Sequence, residues 1–322
     1  MGNVGWFGVV ALCAFMVGLR QEIGADWFTY DFYFQEVAAM TFREALAFND
    51  PGYYGLNWIV EAIGGDVYWV NAICAVIVMS GVSVFTRHQS LPWVALSVAV
   101  PYLVIVVAMG YTRQGAALGF VLLGLTALSR GRSASFVAWV VCGALFHKSA
   151  VLVLPIAVVA ATKKRLWTFV WVSATGVLGA YLLVAEESQE LWRLYVEERM
   201  QSDGGAIRIA MNAVAAVAFL LVGKKFRLPM TEFRIWWWMS VFALVCIPLV
   251  FISSTAVDRV ALYFIPVQLF ALSRLPLLST DPGYRTLLIA GVVGFYAAVL
   301  WVWLNFATHS QEWIPYRNLL LS

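Results

Sequence analysis

ASFVAWVVCGALFHKSAVLVLPIAVVAAT, residues 134–162, decides how this chain is read. It is apolar along its length except for His147-Lys148 in the middle. A hydrocarbon core about 30 Å thick takes about 20 apolar residues as a helix. One continuous helix would set Lys148 near the bilayer centre, at a cost of roughly 2.5–3.5 kcal/mol even on the lenient insertion scale. Two short helices joined by a tight turn lower that cost, and each then crosses only part of the membrane. Both arrangements put the His-Lys pair in a water-filled pocket below the surface. The plainer alternative is a lysine that snorkels from a helix end.

The rest of the chain has the same character. Its 322 residues are 62% hydrophobic and 12% charged, where a soluble domain carries about 25% charged residues. Mean hydropathy is +0.81. The fold class is therefore all-α: a polytopic transmembrane helical bundle with a cavity facing outward. Spans are expected near 3–19, 68–86, 91–109, 113–129, 134–146, 149–162, 166–184, 206–223, 235–252, 259–273 and 286–305, about eleven within a range of ten to twelve. No polar stretch is long enough to bury a core of its own, so residues 1–322 are expected to form one integral-membrane domain. A net charge of +3 is too small to suggest nucleic acid. Cys13, Cys74, Cys142 and Cys246 lie in apolar segments without metal-ligand spacing. No basic region precedes the first apolar run, so that run is expected to stay as a span rather than be cleaved.

With the N-terminus in the cytoplasm, the inner loops collect twelve of the 21 Lys and Arg but two of the 18 acids, Glu232 and Asp281. This orientation satisfies the positive-inside bias and sets the C-terminus outside. Two outer segments are long. Residues 20–67, rich in Trp and Tyr, suit short helices at the interface, and 185–205 reads as a charged amphipathic helix. The working face is then the periplasmic or extracellular one.

On that face four polar groups interrupt greasy sequence: Arg20, Arg113-Gln114, His147-Lys148 and Asp258-Arg259. Each has a bland reading: a flanking charge, an interfacial anchor, a snorkelling lysine, an ion pair at a helix start. Jointly, Arg20, Arg113, Lys148 and Arg259 supply cations from separate helices to one leaflet. A diphosphate uses such a set most economically, because guanidinium pairs bidentately with phosphate oxygens. A helix N-terminus at Arg113 would add unpaired N–H groups for an anion. His147, which titrates near neutrality, and Asp26 are candidates for proton transfer. His88 reads as plain surface, and His309 lies in the outer tail without an evident partner. No phosphate-binding loop, dinucleotide fingerprint, zinc motif or internal repeat is present.

At these residues the chain resembles the EpsG-type proteins, which group with the Wzy-like polymerases of O-antigen, capsule and exopolysaccharide. The marks run in order: GLRQEIGADWFTY at 18–30, YTRQGAALGF at 111–120, LFHKSAVLVLP at 145–155, DRVALYF at 258–264 and EWIPYRNLLL at 312–321. The resemblance implies a GT-C-like membrane glycosyltransferase of the bacterial inner membrane, working on its outer face. It would move a growing glycan from undecaprenyl diphosphate to a lipid-linked oligosaccharide repeat unit. Chain-length regulator and flippase proteins would be its partners, beside membrane lipids. On motif position, Arg20, Arg113, Lys148 and Arg259 would hold the diphosphate, while Asp26, His147 and Arg113 would carry catalysis. Tyr30, Gln114, Asp258 and Tyr263 would meet the glycan. No cofactor is called for, although Asp26, Asp31 and Glu36 leave room for a divalent metal.

Three other readings compete. A GT-C-type enzyme could add a single sugar from a polyprenyl phosphate donor, using acids such as Asp26 and Asp31. A lipid-glycan flippase would call for access from both sides and for repeats, which are not evident. A multi-span acyltransferase would need a catalytic histidine, for which His147 is the candidate.

Overall fold

The computed structural model describes residues 3–160 and 204–321, together with positions 166, 169, 170, 173, 174 and 177. Helix α1 (Asn3–Gly18) leads into a segment of three short helices, α2 (Trp27–Val37), α3 (Phe42–Ala47) and α4 (Pro51–Ala62). Then come α5 (Val67–Arg87), α6 (Pro92–Ala99), α7 (Thr112–Ser129), α8 (Ser133–Phe146) and α9 (Pro155–Ala160). After the gap follow α10 (Gly205–Val222), α11 (Met230–Leu249), α12 (Ser254–Ala261), α13 (Ile265–Leu272) and α14 (Pro282–Phe306). No strand occurs among the described residues. Among the described residues, five helical segments are long and apolar enough to cross a membrane: Val67–Arg87, Gly205–Phe226, Met230–Leu249, Ser254–Leu278 and Pro282–Phe306. Asn3–Gly18, Pro92–Ala108, Ser133–Phe146 and Lys148–Ala160 are shorter apolar helices. The span expected near 166–184 and the amphipathic segment at 185–205 fall largely outside the described residues.

Local chemistry sets the breaks. Apolar α8 stops at Phe146, His147 takes an extended conformation (φ −157°, ψ 111°), and a 3₁₀ turn restarts the chain over Lys148–Val153. Of the two arrangements open for residues 134–162, the broken one is present. Leu91-Pro92 starts α6 with proline at its first turn, where a missing N–H costs nothing. That helix widens into π-helical turns over Val100–Ala108, which contain Pro101. In and after the segment of short helices, Thr41 and Glu44 close a capping box on α3, and Asp66 accepts from the backbone N–H of Tyr68 and Trp69 to cap α5.

The centre is a stack of α5, α7 and α8. Lipid tails remove most of the hydrophobic drive between helices, so close packing of small residues has to hold such a stack. Gly81 and Gly119 provide it: a Cβ added to Gly81 would sit 2.1 Å from the Gly119 carbonyl oxygen. Val78, Val82, Leu118 and Leu122 fill in around this crossing, all buried.

Polar groups collect at the two ends. At one end Arg274 donates to Gln89 (2.5 Å) and pairs with Glu232 (3.4 Å), Arg130 meets His88, and Arg87 donates to Asn3 (2.8 Å). At the other end lie the short helices α2–α4 and the C-terminal tail. Tail residues bind the turn after α1 by backbone bonds Gln21 N–H to Arg317 O, Gly24 N–H to Glu312 O and Leu319 N–H to Leu19 O, each 2.9–3.0 Å. Gly24 is required there, with φ +104° and space for a Cβ only 2.5 Å from Met109 O. Trp313 anchors the tail in the core, donating its indole N–H to Ile105 O in the widened helix (2.9 Å) and packing edge-on to Trp303.

Candidate active site

The site grows from the break after α8. His147 and Lys148 are half-buried, with Lys148 against the start of α4. Asp50, immediately before Pro51, occupies the N-cap position of α4, yet it gives its own helix no side-chain cap. Its carboxylate turns inward instead. Oδ2 accepts from Arg113 Nη1 at 2.8 Å and Oδ1 accepts from the Lys148 backbone N–H at 3.3 Å. Three separate elements are thereby tied at one carboxylate: the start of α4, the first turn of α7 and the restart after the break. Burial pushes the Asp50 carboxyl up, and Arg113 and Lys148 oppose that push.

Arg113 sits in an aromatic enclosure. Its guanidinium lies 5.2 Å from the Tyr33 ring and 5.9 Å from the rings of Tyr30 and Tyr53, within cation–π range. The side chain keeps 19% of its surface exposed, and its Nε–H is buried without a hydrogen-bond partner among the described residues. A partly exposed guanidinium paired with Asp50 and with a donor left over is a group that can donate to an anion.

A hydroxyl relay lies on the other side of the break. Ser149 Oγ is 2.7 Å from His147 Nδ1 and donates to Tyr263 OH at 3.1 Å. Gln114 donates to the backbone carbonyl of Arg259 at 2.6 Å, fixing α7 to α12. The Arg259 side chain is exposed. Asp26 is half-buried just before α2; burial raises its carboxyl above the ordinary range, while Arg259, Arg113 and His309 draw it back.

Several expected roles change. Arg20, expected at the diphosphate, is fully buried. It donates to Val17 O (2.6 Å), Ile23 O (3.2 Å), Thr112 Oγ1 (2.6 Å) and Asn71 Oδ1 (3.4 Å), and its guanidinium lies 5.6 Å from the Trp27 ring. Four of its five N–H donors are taken by groups of its own protein, so this arginine clips α1, α5 and α7 together. Tyr30, Gln114, Asp258 and Tyr263, expected at the glycan, are each no more than 5% exposed. They support the site from beneath rather than line it. Asp258 does not pair with its neighbour Arg259 at a helix start; it pairs across the bundle with Arg208 of α10, which also donates to Tyr111 OH at 3.4 Å. Asp26, Asp31 and Glu36 do not assemble a ligand set: among the described residues no group of three or more His, Cys, Asp or Glu could hold a metal ion.

Two residues of this end escaped the sequence reading. Asp50 before a proline looks like an ordinary helix cap, and Arg208 in GAIRIAMN looks like a flanking charge. The available signal was the same in both cases: a charge within a turn of a long apolar run.

The fold and site define a multi-helix membrane protein with a cationic, tyrosine-walled pocket at one end. The chain belongs to the EpsG family, whose family model matches residues 4–318. No curated protein and no solved structure matches it.

Proposed function

We propose that this protein is a polysaccharide polymerase, a membrane glycosyltransferase that passes a growing glycan from undecaprenyl diphosphate to a lipid-linked repeat unit. EpsG membership supports a polymerase-like role. The observation that carries the reading is Arg113: a partly exposed guanidinium paired with Asp50, walled by tyrosines, and tied through that carboxylate to the backbone of Lys148. Such a pocket suits a diphosphate leaving group flanked by sugar rings, which stack on aromatic faces.

In this mechanism the bond between the anomeric carbon of the donor glycan and the diphosphate oxygen breaks. The electron pair stays with undecaprenyl diphosphate. An acceptor hydroxyl oxygen forms the new bond to that carbon, and its proton passes to Asp26 or His147. Arg113, Lys148 and Arg259 stabilise the charge that develops on the leaving diphosphate; a single well-placed donor of this kind is worth about 3–4 kcal/mol. His147, tied through Ser149 to Tyr263, has its ring orientation set for proton transfer. The active face is the periplasmic or outer side of a bacterial inner membrane, with the N-terminus in the cytoplasm, and chain-length regulator and flippase proteins are the partners such a reaction calls for.

The test is reconstitution. Purified protein in nanodiscs, given the host's lipid-diphosphate-linked oligosaccharide, should produce a ladder spaced by whole repeat units. A product one sugar longer would assign it instead to single-sugar transfer, and intact protein with no product on the right substrate would remove the enzymatic reading.

A further inference from the structure

The break after α8 holds its histidine in place. The His147 backbone is satisfied on both sides: its N–H donates to Gly143 O at 2.9 Å and its carbonyl accepts from Ala150 N–H at 3.0 Å. Two residues on, Ser149 sets its Oγ 2.7 Å from the ring nitrogen Nδ1 and donates to Tyr263 OH at 3.1 Å. A serine hydroxyl has one hydrogen. With that hydrogen spent on Tyr263, Ser149 can only accept from His147, so Nδ1 carries the ring proton and the lone pair sits on Nε2. Nε2 has no hydrogen-bond partner among the described residues. Tyr263 is itself fixed. It is 1% exposed and lies in the 3₁₀ turn Leu262–Phe264 between α12 and α13. Asn212 of α10 donates to Ala261 O just before that turn (2.7 Å), Gln268 of α13 donates to Asn212 Oδ1 (2.6 Å), and Tyr296 of α14 donates to Gln268. A ladder of neutral groups on three helices thus holds the phenol against which Ser149 is set. Asp26, the other candidate for the acceptor's proton, does not cap α2 with its side chain, and no hydrogen bond among the described residues orients its carboxylate.

We propose that His147 Nε2 is the general base for the acceptor hydroxyl, and that Ser149 and Tyr263 are positioning residues that fix its tautomer. The proposal rests on the polymerase reading and decides between its two proton acceptors. In the step, the acceptor O–H bond breaks as its oxygen bonds to the anomeric carbon, and the proton goes to the Nε2 lone pair. The bond from the anomeric carbon to the diphosphate oxygen breaks, and its electron pair leaves with the diphosphate. The imidazolium keeps its Nδ1–H on Ser149, so the serine and the tyrosine orient the ring and carry no proton. The charged groups that act on the ring are Arg113 of α7, Arg259 of α12 and the adjacent Lys148, with Asp50 at the start of α4 bonded to Arg113. The three cations oppose imidazolium formation until a diphosphate offsets them, so the base acts on bound substrate.

The tautomer is read by ¹⁵N NMR of histidine-labelled protein in nanodiscs, with His147→Gln identifying its signals among the three histidines. The expected result is a neutral ring protonated at Nδ1, which turns into a mixture of tautomers in Ser149→Ala. A proton on Nε2 in the unmodified protein, or a tautomer that Ser149→Ala leaves unchanged, would overturn the positioning role. Turnover in the ladder assay tests the base. His147→Gln should fold and lose about 100-fold or more in kcat. Ser149→Ala should lose a smaller part of that with KM unchanged, and Ser149→Thr, which keeps the hydroxyl, should restore both turnover and tautomer. Normal turnover in His147→Gln would overturn the base and leave the polymerase reading standing. A loss in Ser149→Ala that Ser149→Thr does not restore would reduce Ser149 to packing and overturn its assignment. No ladder from the unmodified protein on the right substrate would remove the polymerase reading and the base with it. The NMR reading needs no turnover, so a wrong tautomer and a wrong reaction fail separately.

Discussion

Arg20 and Arg113 make the same appearance in the sequence, each a guanidinium set in a greasy run on the same side of the membrane, and the structure treats them in opposite ways. Arg20 is fully buried and has acceptors on every side: two backbone carbonyls, Thr112 and Asn71. Arg113 has one carboxylate partner, three tyrosine rings, a partnerless Nε–H and an exposed edge. The first is fully buried and meets neutral groups of its own protein at four of its five N–H donors. The second is paired with a carboxylate and keeps 19% of its side chain exposed. A buried arginine bonded to several helices holds them together; a partly exposed one is placed where a ligand can reach it.

The comparison is sharpest where it can fail, and the largest effect belongs to Arg20. Arg20→Ala strands Thr112 and Asn71 and the carbonyls of Val17 and Ile23 at a helix junction. Hydrogen bonds to charged groups contribute about 1.5–3 kcal/mol each, so the loss should reach roughly 3 kcal/mol or more. Fluorescence-detected size exclusion should show little monodisperse protein; a normal yield would break the structural half of the contrast. Next comes the Asp50–Arg113 pair. Asp50→Ala leaves the guanidinium without its counter-charge in a nearly closed pocket, and the expected loss in thermal stability corresponds to roughly 2–3 kcal/mol. Asp50→Ala with Arg113→Ala should recover part of that stability and none of the activity, a coupling that a double-mutant cycle in Tm would register.

Smaller effects probe the tail that covers this end. Trp313→Phe keeps the ring and removes its bond to Ile105 O, so about 1 kcal/mol is expected in thermal unfolding, with the polymer ladder retained. Arg317→Ala breaks an exposed pair with Glu22, whose members are 51% and 41% exposed, and should cost less than about 0.5 kcal/mol. A large loss from Arg317→Ala would mean that the tail is held by its ion pair rather than by Trp313 and the backbone bonds to the turn after α1.

The membrane bundle was legible because it follows from hydropathy alone, and the special placement of His147-Lys148 because a charge inside an apolar run has few acceptable positions, while the sequence left open whether the helix breaks there and only the fold decided it. The gathering of Arg113, Lys148, Asp26 and Arg259 toward one end was legible for the same reason. What stayed hidden depends on partners far apart in the chain. Nothing around Arg20 announces that Asn71 and Thr112, from two other helices, will absorb its donors. Asp50 looks like a cap for α4, and only the fold shows its carboxylate diverted to Arg113 and Lys148. Asp258 looks paired with its neighbour until α10 brings Arg208 across. Sequence places charges at a depth and an end; which of them meet is decided by helix packing.

The most direct test sets Arg20→Lys beside Arg113→Lys and separates the amount of folded protein from turnover per folded molecule in the reconstituted ladder assay. Lysine keeps the charge in both but offers one compact ammonium in place of a planar fork. Arg20→Lys should lower the yield of folded protein sharply while the surviving molecules polymerise at close to the normal rate. Arg113→Lys should fold at the normal yield and lose roughly 100-fold in turnover, the scale of one transition-state donor. Normal turnover in Arg113→Lys, or a folded but inactive Arg20→Lys, would contradict the account.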